Sequence, residues 1–278
     1  MIKVARQVAR TLLPRWLHTS LYHLLEDSPV VCRILGETSL IESQLSTLSG
    51  PPWNGYTDTI STRRKSERVV EIPWALSRYR GERRVLDIGT SFALHVWVRH
   101  LIGLGIPELY AIDIVPRSVP GLTITNGDVR SMPFDDSFFD LIFCISTIEH
   151  IGEDNTAYGV PGSDRGVIRG DVQALREIRR VLRPGGRVIV TVPFGRSQQL
   201  GWQRQYDMPM WQDLIDRGGL VTDELNVFAL SREGWTTCRL DCELPSCEYH
   251  EDGAPGATAV LCSVLYRTAN SRDLGDDL

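Results

Sequence analysis

Long hydrophobic runs and a high cysteine content are both missing from this sequence. No stretch approaches the roughly 18 consecutive apolar residues of a membrane-spanning helix, and six cysteines in 278 residues do not form a dense disulfide framework. The first residues also lack the compact apolar core of a signal peptide, because Arg6, Gln7 and Arg10 interrupt it. We therefore expect a cytoplasmic protein without a transmembrane helix.

An excess of positive charge is missing as well. The 30 Lys and Arg residues are outnumbered by 35 Asp and Glu residues, which gives a formal net charge of −5. A protein that binds nucleic acid normally carries a basic face that neutralises phosphates, so this balance argues against a DNA or RNA partner. It suits a neutral or cationic small molecule instead, because an acidic field concentrates amines.

Residues 1–66 differ in pattern from the rest of the chain and are predicted to form an N-terminal extension. Apolar residues recur every three or four positions over 2–25, with four basic residues and no carboxylate, which predicts a basic amphipathic helix. This helix could dock on the main domain as an arm or lid, contact a partner protein, rest on a membrane surface or act as an organellar presequence. Residues 36–66 are rich in Ser, Thr, Gly and Pro and predict a loop-rich connection.

From residue 67 onward the pattern alternates between helices and short apolar strands. Five strands are predicted, at residues 84–88, 109–112, 122–125, 139–145 and 187–192. Helices are predicted from 67 to about 80 and at 92–104, 172–182 and 208–218. Strands that are apolar on both faces and alternate with helices indicate a mostly parallel sheet covered on both sides. Two further strands, at 235–244 and 257–266, are predicted to close the sheet as an antiparallel pair.

The glycine pattern that binds a pyrophosphate is absent after the first strand. Asp87-Ile88-Gly89 is followed by Thr90-Ser91-Phe92, without the full G-x-G-x-x-G run, so a dinucleotide is disfavoured. The second strand ends at Asp113, and Asp128 follows the third. Parallel strands end on one rim, where a carboxylate at 113 can accept hydrogen bonds from both ribose hydroxyls and one at 128 can accept from an adenine amino group. The pattern predicts a site for a nucleoside without phosphates.

Taken in order, these motifs resemble the class I S-adenosylmethionine (SAM)-dependent methyltransferases over roughly residues 67–195. The motifs that carry the resemblance are Val85-Leu86-Asp87-Ile88-Gly89, Ala111-Ile112-Asp113, Gly127-Asp128-Val129-Arg130-Ser131-Met132-Pro133-Phe134, Ser137-Phe138-Phe139-Asp140 and Arg180-Val181-Leu182-Arg183-Pro184-Gly185-Gly186. The resemblance implies an α/β, Rossmann-like fold: a seven-stranded, mostly parallel sheet with helices on both faces. It implies a SAM-binding domain over 67–267, preceded by the N-terminal helical extension and followed by a disordered tail at 268–278.

The same resemblance implies SAM as cofactor and a set of cofactor-binding residues. These are Asp87, Gly89, Thr90, Ser91, Asp113, Ile114, Asp128, Val129 and Ile145. One position departs from the family, because Ser91 stands where the second glycine is usual. Altered contacts around the methionine part of SAM are therefore expected.

The segments after the fourth and fifth strands resemble a bacterial subgroup linked to polysaccharide and natural-product modification, antibiotic biosynthesis included. The matching runs are Ser146-Thr147-Ile148-Glu149-His150-Ile151-Gly152, Tyr158-Gly159, Pro193-Phe194-Gly195 and Arg204-Gln205-Tyr206-Asp207. This resemblance implies a small acceptor, a sugar or an amino sugar. Methylation of RNA or protein, or a non-catalytic SAM-binding subunit, are the alternatives.

The rim after the fourth strand carries the predicted catalytic residues, Glu149 and His150. A hydroxyl acceptor needs a base near neutral pH, for which histidine suits, whereas an amine could be held in place by a carboxylate. His150 could equally serve only as a structural hydrogen-bonding residue. Residues 152–170 contain five glycines and predict a substrate loop or a plain surface loop.

Four further side chains are predicted to bind the acceptor. Tyr158 could stack on a sugar face, and Arg204, Tyr206 and Asp207 could form the opposite wall, although an ion pair that steadies the loop is equally plausible.

Three cysteines and a histidine near the C-terminus suggest a zinc site at first sight. The spacing of Cys238, Cys242, Cys247 and His250 matches no common zinc site, and residues 236–244 alternate as a strand does. We therefore predict no metal, with Cys238 and Cys242 on one strand face.

Overall fold

The computed structural model describes residues 36–47, 62–63, 65–115, 117–160, 169–240 and 244–268. The predicted basic helix at 2–25 and all but the first residue of the predicted tail lie outside these ranges, so both stay predictions. Within the described ranges, no helix has the length and apolar character needed to cross a bilayer.

Ten β-strands are found in the described residues. In chain order they are β1 Arg84–Ile88, β2 Glu108–Asp113, β3 Ile124–Asn126, β4 Phe139–Ile145, β5 Leu182–Phe194, β6 Gln198–Gln199, β7 Arg204–Gln205, β8 Val221–Ser231, β9 Gly234–Cys238 and β10 Ala259–Tyr266. Eight of them form one sheet in the order β3-β2-β1-β4-β5-β10-β8-β9, and β6 pairs with β7 separately. The first five of the sheet run parallel, whereas β10, β8 and β9 join in antiparallel fashion.

The central strands β1, β4 and β5 are buried on both faces over most of their length because they are apolar on both faces. In β1, Val85 faces one apolar cluster and Leu86 faces the other, and both side chains are fully buried. This is the alternation that a strand imposes on a continuous apolar run. The predicted Rossmann-like, mostly parallel sheet is confirmed.

Helices cover both faces of the sheet. They are α1 Glu37–Thr47, α2 Arg68–Leu76, α3 His95–Gly103, α4 Gly170–Val181 and α5 Met208–Gly218. The first three contribute to the cluster that contains Val85, and the last two to the cluster that contains Leu86. Helix α4 buries Val172, Leu175 and Ile178, whose spacing places them on one helix face.

The structure corrects the prediction for the segment before the sheet. Helix α1 lies within the segment predicted to be loop-rich, 36–66. The sequence gives little sign of a helix because only Ile41 is fully buried, while Ser and Thr occupy half of the other positions. Tertiary contacts hold the helix instead, since Glu37 accepts hydrogen bonds from the backbone N–H (2.7 Å) and the hydroxyl (3.1 Å) of Ser66.

The closing strands also differ from the prediction, and the sheet has eight strands instead of seven. The predicted pairing of 235–244 with 257–266 is wrong, because β10 pairs with β5 and β8, and β9 pairs with β8. Strand β8 was not predicted. Thr222, Asp223, Glu224 and Asn226 place polar side chains along its first half, where it is least buried, and so remove the apolar pattern.

The order of the strands creates a crevice at one edge of the sheet. Strand β1 lies between β2 and β4, so the chain leaves β1 toward one side and returns on the other. In open α/β sheets, ligands bind outside the carboxyl ends of the strands at this switch point. The ends of β1, β2 and β4 therefore define the candidate site.

Candidate functional site

The turn after β1 brings three strand ends into contact. Gly89 has a φ of +84°, which L side chains rarely adopt, and its N–H donates to the Ile112 carbonyl at 3.0 Å. A Cβ added at Gly89 would lie 2.4 Å from the Thr147 hydroxyl oxygen. The exits of β1, β2 and β4 therefore meet at this glycine, on the crevice.

Asp87 supports this turn from inside the protein. Its side chain is 1% exposed, and its two oxygens accept hydrogen bonds from the Thr90 hydroxyl at 2.6 Å and the Trp97 indole N–H at 3.2 Å. Burial raises the pKa of Asp87 to about 7, because the two hydrogen bonds offset the lost solvation only in part. Asp87 and the buried Thr90 thus shape the turn, and their predicted contact with the cofactor stays a prediction.

Asp113, at the end of β2, holds its carboxylate at the crevice. One oxygen accepts from the Ser91 backbone N–H and the other from the Val115 backbone N–H, both at 2.9 Å. The Ser91 hydroxyl donates to the Val115 carbonyl at 2.7 Å. Serine therefore suits a position where glycine is usual, because its side chain ties the first turn to the exit of β2. Each carboxylate oxygen keeps a second lone pair, which is what two ribose hydroxyls require.

Apolar surface lies beside this carboxylate. Ile114 is 44% exposed at the tip of β2, while Val129 and Ile145 are half-buried after β3 and at the end of β4. An exposed isoleucine next to a nearly buried carboxylate is what an adenosine needs, because its ring is flat and apolar on the faces and its ribose is polar. The residues present fit the nucleoside part of SAM.

Asp128 is already engaged by a neighbour. It accepts hydrogen bonds from the Arg130 backbone N–H at 2.8 Å and from the Arg130 guanidinium at 2.6 Å. Burial acts to raise the pKa of Asp128, but the Arg130 hydrogen bonds and charge bring it below its ordinary value. A contact from Asp128 to adenine must therefore share this carboxylate with Arg130.

His150 lies on a short 3-10 turn, Ile148–His150, directly after β4. Its Nδ1 is 2.9 Å from the Trp202 carbonyl oxygen, which can only accept, so Nδ1 carries the hydrogen and Nε2 keeps its lone pair. Burial lowers the pKa of His150 to about 4, and the charges of Arg68 and Arg204 lower it further. The imidazole is therefore neutral at neutral pH and keeps its Nε2 lone pair, and its lowered pKa makes it a weaker base than an ordinary histidine.

Glu149 lies beside this histidine and is almost completely buried. Its side chain is 1% exposed, and Oε1 is 3.9 Å from the His150 Nε2. Its other oxygen, Oε2, has no hydrogen-bond partner among the residues that the structure describes. Burial raises the pKa of Glu149 to about 8, with Glu71 and Glu67 adding to the rise. The carboxyl is therefore largely protonated at neutral pH.

The raised pKa of Glu149 predicts a pH-dependent loss of stability. Between its ordinary pKa of 4.5 and about 8, the unfolded chain has released this proton while the folded protein retains it. The free energy of unfolding therefore falls as pH rises through this window. Glu149→Gln cannot ionise and is expected to be more stable than the wild type at pH 8 by about 4 kcal/mol, because each pKa unit between 4.5 and about 8 corresponds to about 1.4 kcal/mol.

Urea denaturation at pH 5, 6.5 and 8 measures this difference, which should vanish near pH 5. Glu233→Gln, on the exposed turn between β8 and β9, is the matched control and should leave stability unchanged at each pH. A constant difference between Glu149→Gln and wild type across the three pH values contradicts a raised pKa at this position.

Two more buried carboxyls lie near Glu149, and sequence reasoning missed both. We call Glu67, Arg68, Glu71 and Glu149 the acidic cluster. Glu71 is fully buried, pairs with Arg68, and accepts from the hydroxyls of Ser146 (3.0 Å) and Thr191 (2.6 Å). The available signal was a glutamate in the middle of the otherwise apolar helix Arg68–Leu76.

A row of ring side chains connects the first turn to the acidic cluster. The aromatic row consists of Phe92, Tyr158, His150, Trp202 and Tyr249, with successive ring centroids 5.0, 5.3, 5.5 and 5.9 Å apart. All five are half-buried. Tyr158, predicted to bind the acceptor, thus bridges the cofactor turn and His150, whereas Phe92, Trp202 and Tyr249 were not among the predicted site residues.

The other three predicted acceptor-binding residues make hydrogen bonds or ion pairs within the protein. Arg204 is 5% exposed and forms ion pairs with Glu153 and Asp171. These pairs agree with the alternative expectation, an ion pair that stabilises the loop. Tyr206 is fully buried and donates to Asp171 at 3.1 Å, so it offers no surface to an acceptor. Asp207 caps helix α5 by accepting from the Met210 backbone N–H at 2.8 Å. The predicted contacts of these three residues with an acceptor stay predictions.

The cysteine-rich segment forms no metal cluster in the described part of the chain. Cys238 ends β9, and Cys247 lies beyond it with its thiol 3.8 Å from the Phe194 carbonyl oxygen. Cys242 lies outside the described ranges. The His250 Nδ1 is 2.9 Å from the Ala254 carbonyl oxygen.

Comparison with known families finds a match for the central part of the chain. Residues 86–190 match the family model described as a methyltransferase domain. Two curated relatives are 28% identical over 127 and 120 residues: a protein of Encephalitozoon cuniculi that is named provisionally as a methyltransferase, and the uncharacterized methyltransferase YcgJ of Bacillus subtilis. The aligned parts are 43% and 40% of this chain and 52% and 41% of the relatives, so the match spans about half the length of each.

Comparison with solved structures supports the fold. The [4+2]-cyclase SpnF has a TM-score of 0.52 and 13% sequence identity, and the alignment covers 86% of this chain and 96% of that one. Because that protein is described as a cyclase, the shared fold does not by itself determine the reaction. The family match and the order of the strands agree on what residues 86–190 resemble, a methyltransferase domain built on a mostly parallel sheet.

Proposed function

We propose that this protein transfers a methyl group from SAM to a hydroxyl or amine of a small polar acceptor. One observation carries the proposal. The turn after β1, whose Ser91 N–H binds the Asp113 carboxylate, packs directly against the segment that contains Glu149 and His150. Gly89 contacts Thr147, and Tyr158 packs against both Phe92 and His150. A nucleoside site and a proton acceptor therefore share one crevice.

On the cofactor side, the proposed contacts come from the strand ends. Asp113 would accept from the ribose hydroxyls, Ile114 and Val129 would flank the adenine, and Asp128 would accept from its amino group. Gly89 would let the ligand approach the backbone closely, with Ser91 and Ile145 lining the methionine part. When bound, SAM supplies an electrophilic methyl carbon on a sulfonium.

On the acceptor side, the protein would align the acceptor and manage its proton. The neutral His150 offers Nε2 as proton acceptor, and the hydrogen bond from Nδ1 to the Trp202 carbonyl fixes the ring. Tyr158, Trp202 and Tyr249 provide ring faces on which a sugar could stack. Alignment of reacting groups supplies much of the catalysis in such a displacement. A sugar or amino sugar in a natural product is the acceptor we propose, with residues 67–267 as the catalytic domain.

Two measurements test the proposal. Calorimetry should detect binding of SAM to the purified protein, and incubation with methyl-labelled SAM should transfer label to sugar or amino-sugar acceptors but not to RNA. Absence of SAM binding removes the proposal. SAM binding with no label transfer to any acceptor favours the non-catalytic subunit.

Substitution of His150 separates the two acceptor chemistries. His150→Asn removes the basic Nε2, so methylation of a hydroxyl acceptor should fall at least tenfold in kcat with little change in KM for SAM. Methylation of an amine should be much less affected. Unchanged activity on a hydroxyl acceptor would show that His150 is a structural residue.

A further inference from the structure

The acidic cluster carries an excess of acid over base next to the proposed acceptor site. Three carboxyls, Glu67, Glu71 and Glu149, surround one guanidinium, that of Arg68, and each of the three is at most 6% exposed. Buried charges in proteins are normally paired. Only one of the three carboxyls can be neutralised by Arg68, which leaves two acidic groups without a cation in the described residues.

Two of the three carboxyls accept hydrogen bonds from other residues of the described chain. Glu71 pairs with Arg68 and accepts from two hydroxyls. Glu67 accepts from the Ala257 backbone N–H at 2.9 Å. Glu149 differs, because its Oε2 is buried and has no partner among the described residues. A buried oxygen without a partner costs free energy that a hydrogen-bond donor could recover.

We infer that the acidic cluster selects an acceptor that carries a protonated amine, whose ammonium group pairs with the Glu149 carboxylate. This inference rests on the proposed function and names the acceptor class for it. An ammonium offers three donors, one of which can satisfy the free oxygen, and a positive charge that pairs with the carboxylate formed when Glu149 loses its proton. A hydroxyl would satisfy the oxygen alone.

The aromatic row supports the same chemistry. Tyr249 interacts electrostatically with Glu67, Arg68 and Glu149, so its hydroxyl lies within range of the charges of the acidic cluster. Trp202 packs against Tyr249, with ring centroids 5.9 Å apart, and against His150. The faces of aromatic rings attract cations, which adds to the preference for an ammonium.

Binding of an ammonium should change the protonation of Glu149. The charged and titratable groups that interact with Glu149 are Glu67, Arg68, Glu71, Cys144, His150, Tyr206 and Tyr249. In the free protein the Glu149 carboxyl is largely protonated at neutral pH, whereas the ion pair requires the carboxylate. The proton leaves to solvent when the ammonium binds. Before methyl transfer, a proton passes from the ammonium nitrogen to the Glu149 carboxylate, which frees the nitrogen lone pair.

Benzylamine and benzyl alcohol are matched probes, because they share a ring and differ in the group that would meet Glu149. We would titrate each into the protein saturated with S-adenosylhomocysteine at pH 7, in two buffers of different protonation enthalpy. The wild type should bind benzylamine at least tenfold more tightly than benzyl alcohol and release up to one proton. Glu149→Gln should lose the preference and the proton release, and the exposed Glu233→Gln should keep both.

Several outcomes would overturn the inference. These are equal affinities for the two probes, binding of neither, no proton release in the wild type, or a preference that survives in Glu149→Gln. The proton release is measured on the wild type, so the test does not depend on the folding of a variant. Binding of S-adenosylhomocysteine is measured first: its failure removes the proposed function, whereas its success with no amine preference removes only this inference.

Discussion

Asp113→Ala is expected to lower the affinity for SAM about 100-fold. Each hydrogen bond from a ribose hydroxyl to the carboxylate contributes about 1.5–3 kcal/mol to binding. A total loss of about 3 kcal/mol corresponds to two orders of magnitude in Kd. The substitution also leaves the backbone N–H groups of Ser91 and Val115 without their acceptors. The turn after β1 would then lose its hydrogen bond to the end of β2.

Calorimetric titration of SAM measures this effect, and two further variants define its cause. Asp113→Asn keeps the side-chain shape and one acceptor oxygen, so its affinity should lie between those of the wild type and Asp113→Ala. Asp223→Asn, on the exposed first part of β8, should bind SAM as the wild type does. Wild-type affinity in Asp113→Ala would exclude this carboxylate from the cofactor site.

Gly89→Ala is expected to lower the free energy of unfolding by about 3 kcal/mol. About 1 kcal/mol comes from placing an L side chain at a φ of +84°. The rest comes from the new Cβ, which would lie 2.4 Å from the Thr147 Oγ1 and 2.8 Å from its Cγ2, and overpacking of this kind typically costs about 1–3 kcal/mol. Chemical denaturation of the protein without ligand measures the loss.

Gly81→Ala separates the two contributions. Gly81 has nearly the same φ, +89°, but an added Cβ there has nothing within 4 Å, so its loss should be about 1 kcal/mol. The double variant Gly89→Ala/Thr147→Ala removes the two nearest atoms and should be more stable than Gly89→Ala alone. Equal losses for Gly81→Ala and Gly89→Ala would show that contact with Thr147 is not what requires glycine at 89.

The central strands of the parallel half were predictable because burial on both faces leaves a continuous apolar run. The predicted bounds of β1 and β4, 84–88 and 139–145, are those of the structure. The antiparallel half was not predictable in the same way. Strand β8 has one poorly buried half and polar residues along it, so its apolar pattern is too weak to recognise.

Some motif residues that could bind a ligand instead bind other residues of the protein. Asp113 lies at the crevice as predicted, whereas Asp87 turns both oxygens inward toward Thr90 and Trp97. Arg204 and Tyr206 looked equally suited to bind an acceptor, yet both are engaged by Asp171. A sequence shows which donors and acceptors exist, but not which of them satisfy one another.

The parallel α/β core, the turn at Gly89 and the acidic residue at the tip of β2 follow from the amino-acid sequence, because each depends on a local pattern of apolarity, backbone freedom or charge. The acidic cluster and the aromatic row arise only when the chain is folded. The order of the strands brings Glu71 to Glu149, and Phe92 to Tyr158, from distant parts of the chain. Burial then sets the proton affinity of the carboxyls, and burial is a property of the packed fold rather than of any segment.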